Sequence, residues 1–430
     1  MALYMLRLFY TFFLYVLTPL LLIRTFWRAL RTPHHGSRWH QRFGFVPIIN
    51  SGQKVIWIHC VSVGETLAAV PLIKKLQKRY PDRLLVVTTT TFTGSERVRS
   101  IFSNSVYHVY APYDLPISVN LFLKRIHPSL VIIMETELWP NLIHYCSNFD
   151  IPVIVANARM SKKSLAGYKK FARFTEHMLK KINYVVAQYG DDGQNFLDLG
   201  LPESQLIISG NIKFDNSLKN DIITKASALK IEWSGESKRK IFLAASTHFG
   251  EDKIVLEAYE KIKKFYPKLL LIIVPRHPER FSEVAKLCSS HNYSIVKRSN
   301  RSKIQPDDNI LLGDTMGELM LFYGICDVTF VGGSLVPAGG HSLIEPAIWG
   351  TPLISGPSLY NFSNVSRLLK EAGGINICQD SSSMAKIVCE IFKDTSKSER
   401  LGHAAKLVAI SNRGALDKLM KVIDLEVALR

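Results

Sequence analysis

An α/β fold of two doubly wound halves, preceded by a membrane-anchor helix, is what this sequence predicts. Three observations carry the prediction. Residues 3–23 are almost wholly apolar. From residue 54 onward, apolar runs alternate with amphipathic segments. A polar pause at 211–239 then divides that alternation into two series. Hydrophobic residues make up 47% of the 430, which suits two cores better than one oversized core.

The N-terminal stretch is broken only by Arg7 and Pro19. As a helix it reaches about 31 Å, roughly the depth of a hydrocarbon core. Tyr4, Phe9, Tyr10, Phe12, Phe13 and Tyr15 also give it interfacial character, so it either spans the bilayer or lies partly in its surface. No small-x-small cleavage site follows. Arg24, Arg28, Arg31, Arg38 and Arg42 follow instead, and these resist translocation. An anchor over residues 1–24 is therefore expected in preference to a cleaved signal, with everything after it in the cytoplasm.

The first series places strands at 55–61, 84–90, 106–110, 130–134, 153–156 and 184–187, with helices between them. The second places strands at 241–245, 269–274, 293–296, 310–312, 328–331 and 352–354. This βαβ rhythm implies parallel sheets. The expected domains are 25–215 and 240–430, joined by a linker at 216–239. Ligands in such sheets sit beyond the carboxyl ends of strands, here in a central cleft between the halves.

The net charge of +18 favours an acidic partner: anionic lipid, a phosphorylated substrate or nucleic acid. Nucleic acid is disfavoured, because no nucleic-acid motif or aromatic-spaced basic run occurs. The six cysteines form no Cys-x-x-Cys pair, which implies free thiols and argues against a zinc site. No His/Asp cluster has metal spacing. There is no Gly-x-Ser-x-Gly elbow, and no Gly-x-Gly-x-x-Gly follows the first strand, which argues against NAD.

The strongest motif is Phe330-Val-Gly-Gly-Ser-Leu-Val-Pro-Ala-Gly-Gly-His-Ser-Leu-Ile-Glu-Pro-Ala. Four glycines follow a buried strand, and a helix is expected to start near His341 or Ser342. Its free N–H groups suit a phosphate, and Glu345 suits ribose hydroxyls. An ordinary glycine loop with Ser342 as cap and Glu345 completing a capping box fits too, and the two readings are compatible. Pro275-Arg276 ends a very apolar strand, where a guanidinium fork suits phosphate or is simply solvated. Gly313-Asp-Thr-Met-Gly-Glu318 follows another strand and offers amides near Met316 and Gly317.

In the first half, Ser62-Val-Gly-Glu65 follows the first strand. Glu65 is either a general base or a residue that simply suits the helix dipole. The dipole alone lowers its pKa, so a base needs burial or a neighbouring carboxylate. Glu135 and Glu137, which leave a nearby strand, are the candidate neighbours. Lys213, in Gly210-Asn-Ile-Lys-Phe-Asp215, suits a leaving phosphate. Residues 161–181 form a basic amphipathic stretch with Phe171, Phe174 and Met178 at helical spacing; it is either lipid-facing or an ordinary core stripe.

Together these motifs resemble one family: the 3-deoxy-D-manno-oct-2-ulosonic acid (Kdo) transferases of Gram-negative bacteria, glycosyltransferases of the GT-B fold with two Rossmann-like domains. The resemblance covers essentially the whole chain. Its specific parts are Ser62–Glu65, Glu135-Thr-Glu-Leu-Trp-Pro-Asn141, Gly210–Asp215, Pro275-Arg-His-Pro-Glu-Arg280, Gly313–Glu318 and Gly339-Gly-His-Ser-Leu-Ile-Glu-Pro346. It implies transfer of Kdo from CMP-Kdo to a lipid A precursor (lipid IVA) at the inner membrane, by inverting direct displacement and without a metal or other cofactor. It implies Glu65 as proton acceptor and Glu135 and Lys213 as transition-state stabilisers. It implies that Pro275, Arg276, Met316, Gly317, Glu318, Ser342, Leu343, Ile344 and Glu345 hold CMP, beside His341. One departure stands out: the family usually has asparagine where this chain has Ser342, so an amide donor is lost. The rival readings are a UDP-sugar lipid glycosyltransferase, a nucleotide-sugar epimerase of the same fold and a non-enzymatic membrane-surface module.

Overall fold

The computed structural model describes residues 2–31, 38–49, 52–215, 218–235 and 238–429. It consists of two compact units. The first comprises Met1–Asp215 with Arg413–Arg430, and the second comprises Asn216–Asn412.

The first unit holds seven strands: β1 (Val55–His59), β2 (Leu84–Thr89), β3 (Tyr107–Tyr110), β4 (Pro128–Met134), β5 (Val153–Ala158), β6 (Tyr184–Ala187) and β7 (Leu206–Ile208). They pair in the order β3-β2-β1-β4-β5-β6-β7. The second unit holds β8 (Ile241–Thr247), β9 (Leu270–Pro275), β10 (Ile295–Lys297), β11 (Ile310–Leu312), β12 (Val328–Val331), β13 (Leu353–Ser355) and β14 (Ile375–Ile377), in the order β10-β11-β9-β8-β12-β13-β14. Among the described residues every pairing is parallel. Strand alternation fills both faces of the first sheet: Trp57 joins one core, while Ile56 and Ile58 join the other.

All twelve expected strands are present, some shifted by a residue or two. The sequence reading did not foresee β7 and β14. Each is a three-residue strand at a sheet edge and largely half-buried; β7 is an apolar run of only three residues, and Asn376 breaks β14.

The domain boundaries differ from expectation in two places. A helix, Asn220–Ser234, occupies most of the expected linker, whose residues 216–217 and 236–237 lie outside the described ones. That helix looks polar, yet Ala226, Leu229 and Trp233 share one face and pack into the second unit's core. The second correction concerns the last helix, Ala415–Ala428. Its Leu419, Met420 and Ile423 pack in the same core as Ile56 and Ile58, so it belongs to the first unit. Asp215 fixes its start, accepting from the N–H groups of Gly414 (2.6 Å) and Leu416 (2.6 Å).

The N-terminal segment is a single helix, Ala2–Arg31, longer than the expected anchor. The side chains of Tyr4, Arg24, Arg28 and Arg31 lie outside the described ones. Tyr10 Oη donates to Asp114 (3.0 Å), and Thr11 meets Asn141 (3.2 Å), which docks the helix on the first unit. Phe9, Phe12, Phe13, Val16, Leu20 and Ile23 remain exposed. Among the described residues, no helix is long and apolar enough to cross a membrane. The basic stretch at 161–181 forms two helices, Lys162–Lys169 and Ala172–Leu179. Met178 is buried, Phe174 half-buried and Phe171 exposed, so the core-stripe reading holds for Met178 and fails for Phe171.

Candidate functional site

In the first unit the expected residues gather at the carboxyl ends of β1, β4 and β5. Ser62 caps the helix Val63–Arg79 and forms a capping box with Glu65. The Glu65 carboxylate accepts from Val61 N–H (2.7 Å), Ser62 N–H (3.2 Å) and Ser62 Oγ (2.7 Å). These donors favour the charged form. Burial outweighs them and, with Glu137 and Glu135 adding repulsion, pushes the Glu65 carboxyl up to about 7. The neighbouring carboxylates are thus present as the sequence implied, but burial is the larger cause. Glu137 is also raised by burial, although Trp139 Nε1 donates to it (2.9 Å).

Glu135 adopts a left-handed backbone (φ 58°), which aims it off the end of β4 while its N–H donates to Ala156 (3.0 Å). Lys213 Nζ lies 3.6 Å from the Glu135 carboxylate. A polar relay fixes the turn that carries Lys213. Asn157, at a β5 bulge with φ 53°, accepts from Ile212 N–H (3.1 Å). Asn211 accepts from Lys213 N–H (3.0 Å) and donates to Gln188 (2.9 Å). Glu135 therefore stands beside both Lys213 and Glu65. Asn157 and Gln188, which support the turn, were not foreseen; an asparagine breaking an apolar strand was the available signal.

In the second unit, Pro275 ends β9 and Arg276 is exposed beyond it, its N–H donating to Thr247 (3.0 Å). Met316 is exposed and Gly317 has φ 88°. The Glu318 carboxylate is gripped by Arg298 through Nε (3.1 Å) and a terminal nitrogen (2.8 Å), and by Thr315. The Arg298 bonds hold its pKa down.

The glycine-rich helix start differs from expectation. The helix begins at Ile344 and Ser342 does not cap it. Pro346 is the reason. In a helix beginning at Ser342 it would fall in the interior, where its missing N–H breaks a bond; beginning at Ile344 leaves it in the first turn. With Ser342 outside the helix, the expected capping box with Glu345 is not formed. Leu343 and Ile344 are buried, so a ligand there meets their backbone. His341 faces His248, with Nε2 atoms 2.7 Å apart, so one of the two carries the bridging hydrogen. Burial, then Arg276, His248 and His277, hold His341 down at about 3, so it is neutral at pH 7.

Glu251 organises the loop after β12. It is fully buried and accepts from His248 N–H (2.8 Å), Gly333 N–H (2.7 Å), Ser334 N–H (3.0 Å) and Leu335 N–H (2.9 Å). A Cβ at Gly332 would sit 2.6 Å from Ser246 O and 2.8 Å from Glu251, so only glycine permits this approach. His248 and Glu251 escaped the sequence reading. Their signal was Ser-Thr-His-Phe-Gly-Glu directly after an apolar strand.

The family model for 3-deoxy-D-manno-octulosonic-acid transferase (kdotransferase) matches residues 37–216. The 3-deoxy-D-manno-octulosonic acid transferase of Haemophilus influenzae is 40% identical over 419 residues, covering 97% of this chain and 98% of that one. The chain belongs to the Kdo transferase family. The Bordetella pertussis Kdo transferase is 30% identical, covering 96% of this chain and 98% of its own. The UDP-GlcNAc 2-epimerase of Neisseria meningitidis has a TM-score of 0.59 at 16% identity, covering 88% of this chain and 100% of that one. That likeness shows the GT-B-type fold alone. The family makes this Kdo transferase a glycosyltransferase, which removes the epimerase and membrane-surface-module readings. Both Kdo transferase relatives are matched over nearly their whole length, so the resemblance extends well past residue 216.

Proposed function

We propose that this enzyme transfers Kdo from CMP-Kdo to a lipid A precursor (lipid IVA) in lipopolysaccharide biosynthesis, at the cytoplasmic face of the inner membrane. The helix Ala2–Arg31 lies in the membrane surface through its exposed apolar side chains, aided by anionic lipid. The observation that carries the reading is Glu65, a buried carboxyl at a strand end with its pKa near neutrality. Glu65 takes the proton of the acceptor hydroxyl. That oxygen attacks the anomeric carbon, the bond to the CMP phosphate breaks, and the configuration inverts. Lys213, held by Glu135, and Arg276 stabilise the departing phosphate. Pro275, Arg276, Met316, Gly317, Glu318, His341, Ser342, Leu343, Ile344 and Glu345 hold the CMP group, and no metal is needed.

The test is mass spectrometry of a lipid A precursor incubated with enzyme and CMP-Kdo. A mass gain of one or more Kdo units is expected; no gain, together with transfer from a UDP-sugar, would overturn the reading. CMP should also raise the melting temperature more than UDP, because a ligand at 100 times its Kd stabilises by about 2.7 kcal/mol.

Arg298→Met should weaken CMP binding roughly tenfold, because it releases Glu318 from a two-pronged clamp. Calorimetric titration checks this, and unchanged affinity would show that the pair serves the fold alone.

A further inference from the structure

We propose that Arg42, with Arg38 beside it, binds a phosphate group of the acceptor next to Glu65. This inference rests on the acceptor reading given above.

A short 3-10 helix, Trp39–Phe43, places the two arginines near the carboxyl ends of β2 and β3. Two bonds fix it there. The buried Gln41 side chain accepts from Tyr110 N–H (3.0 Å), and the Arg42 carbonyl accepts from Tyr113 N–H (2.7 Å). Both guanidinium groups pack on the Tyr110 ring, with their carbons 4.8 Å (Arg38) and 4.5 Å (Arg42) from its centroid. Arg38 donates to Ser95 Oγ (2.8 Å), and Arg42 donates to Thr90 O (2.7 Å). Thr90 Oγ donates to Val61 O (2.7 Å), and Val61 N–H donates to Glu65 (2.7 Å). Arg42 is therefore joined to the base through Thr90 and Val61.

The fold alone does not account for these charges. Among the described residues, the two guanidinium groups meet carbonyls, a hydroxyl, the His108 imidazole and tyrosine rings, and no carboxylate. Burial, then Arg38 and Arg99, hold that imidazole down at about 3, so it is neutral at pH 7. Glu65 is the only carboxylate in the first 81 residues, and Val61 and Ser62 occupy it. Thr90 and Ser95 flank the start of the helix Phe92–Phe102, whose positive end disfavours cations. Burial and Arg99 hold Arg38 below the usual arginine range. The bond to Thr90 uses one N–H of the Arg42 fork and leaves others for a ligand. A phosphate offsets the positive charge and takes several such donors at once. Trp39 and Phe45 are exposed close by in the chain, which suits the apolar part of an amphiphile. Lys213 and Arg276 serve the CMP phosphate in the reading above, which leaves these arginines to the acceptor.

The test measures transfer by the full chain at saturating CMP-Kdo, with the lipid A precursor supplied intact or after phosphatase treatment. Treatment should raise the wild-type KM for the acceptor roughly tenfold. Arg42→Gln should raise the KM for the intact acceptor by a similar factor, leave the KM for CMP-Kdo unchanged, and respond little to phosphatase treatment. Arg42→Lys, which keeps the charge but loses the fork, should fall between the two. Lys163→Gln, which removes a charge from an exposed position elsewhere in the first unit, should behave as the wild type. Melting temperatures confirm folding; if Arg42→Gln does not fold, Arg42→Lys carries the same comparison. Equal wild-type KM values for the two acceptors overturn the phosphate site. An Arg42 variant that raises KM equally for both acceptors, or raises the KM for CMP-Kdo instead, overturns the assignment to Arg42. No transfer to either acceptor by the wild type overturns the acceptor reading itself, and this inference with it.

Discussion

Glu65→Gln is expected to lower turnover by roughly 10²–10⁴-fold while leaving CMP affinity unchanged. Glutamine keeps the shape and serves a capping box, so the start of the helix Val63–Arg79 should survive. What disappears is the proton acceptor. In the wild type, kcat/KM should rise with pH and level off above about 7, as the carboxyl ionises. The variant should show no such limb. Glu137→Gln, which removes a repelling charge, should move the wild-type limb to lower pH. Stability carries a second signature. The folded pKa lies above the unfolded one, so the favourable contribution is present below about 4.5 and is lost as pH rises through about 7. Glu65→Gln should therefore gain on the wild type between pH 5 and pH 8, by roughly 3 kcal/mol at most. The lost acceptor oxygen offsets part of that gain. Wild-type turnover, or a rising limb that persists in Glu65→Gln, would remove the base from this residue.

The second large effect lies at Glu251. Glu251→Ala should destabilise the second unit by roughly 3–5 kcal/mol, since buried N–H groups lose their acceptor and a void forms. Four donors depend on this one carboxylate. Glu251→Gln should fall in between: its single oxygen serves some of them, while its NH2 confronts the rest. Urea unfolding gives the magnitude. Hydrogen exchange should localise the damage to His248 and 333–335, and CMP binding should fall with it. An alanine variant that unfolds and exchanges like the wild type would mean the loop holds itself.

These two residues show where the sequence was legible. Glu65 is legible because a carboxylate just beyond the carboxyl end of a strand sits where ligands bind in such sheets. Its burial, which sets the pKa, depends on packing that no local pattern displays. Glu251 looked like any acidic residue in a helix's first turn. Three of its four partners lie more than eighty residues further on, and only the adjacency of β8 and β12 brings them to it. Most inner strands carry four or more consecutive apolar residues, whereas β7 has only three and Asn376 breaks β14 at the edge of the other sheet. Pro346 lacks the N–H that an interior helix position donates, and this places the helix start at Ile344. The helix Asn220–Ser234 reads as a linker because charged and polar residues interrupt its apolar ones and surround it on both sides, though Ala226, Leu229 and Trp233 are spaced to share a face.

The last helix, Ala415–Ala428, sets the order in which the protein can be made. Its Leu419 and Ile423 complete a core begun by residues near position 56. The second unit, Asn216–Asn412, is synthesised entirely between those two parts. On the ribosome, the unit translated later can therefore close first. The earlier one keeps an apolar sheet face open until residue 428 emerges, and during that interval it is a natural client for a chaperone.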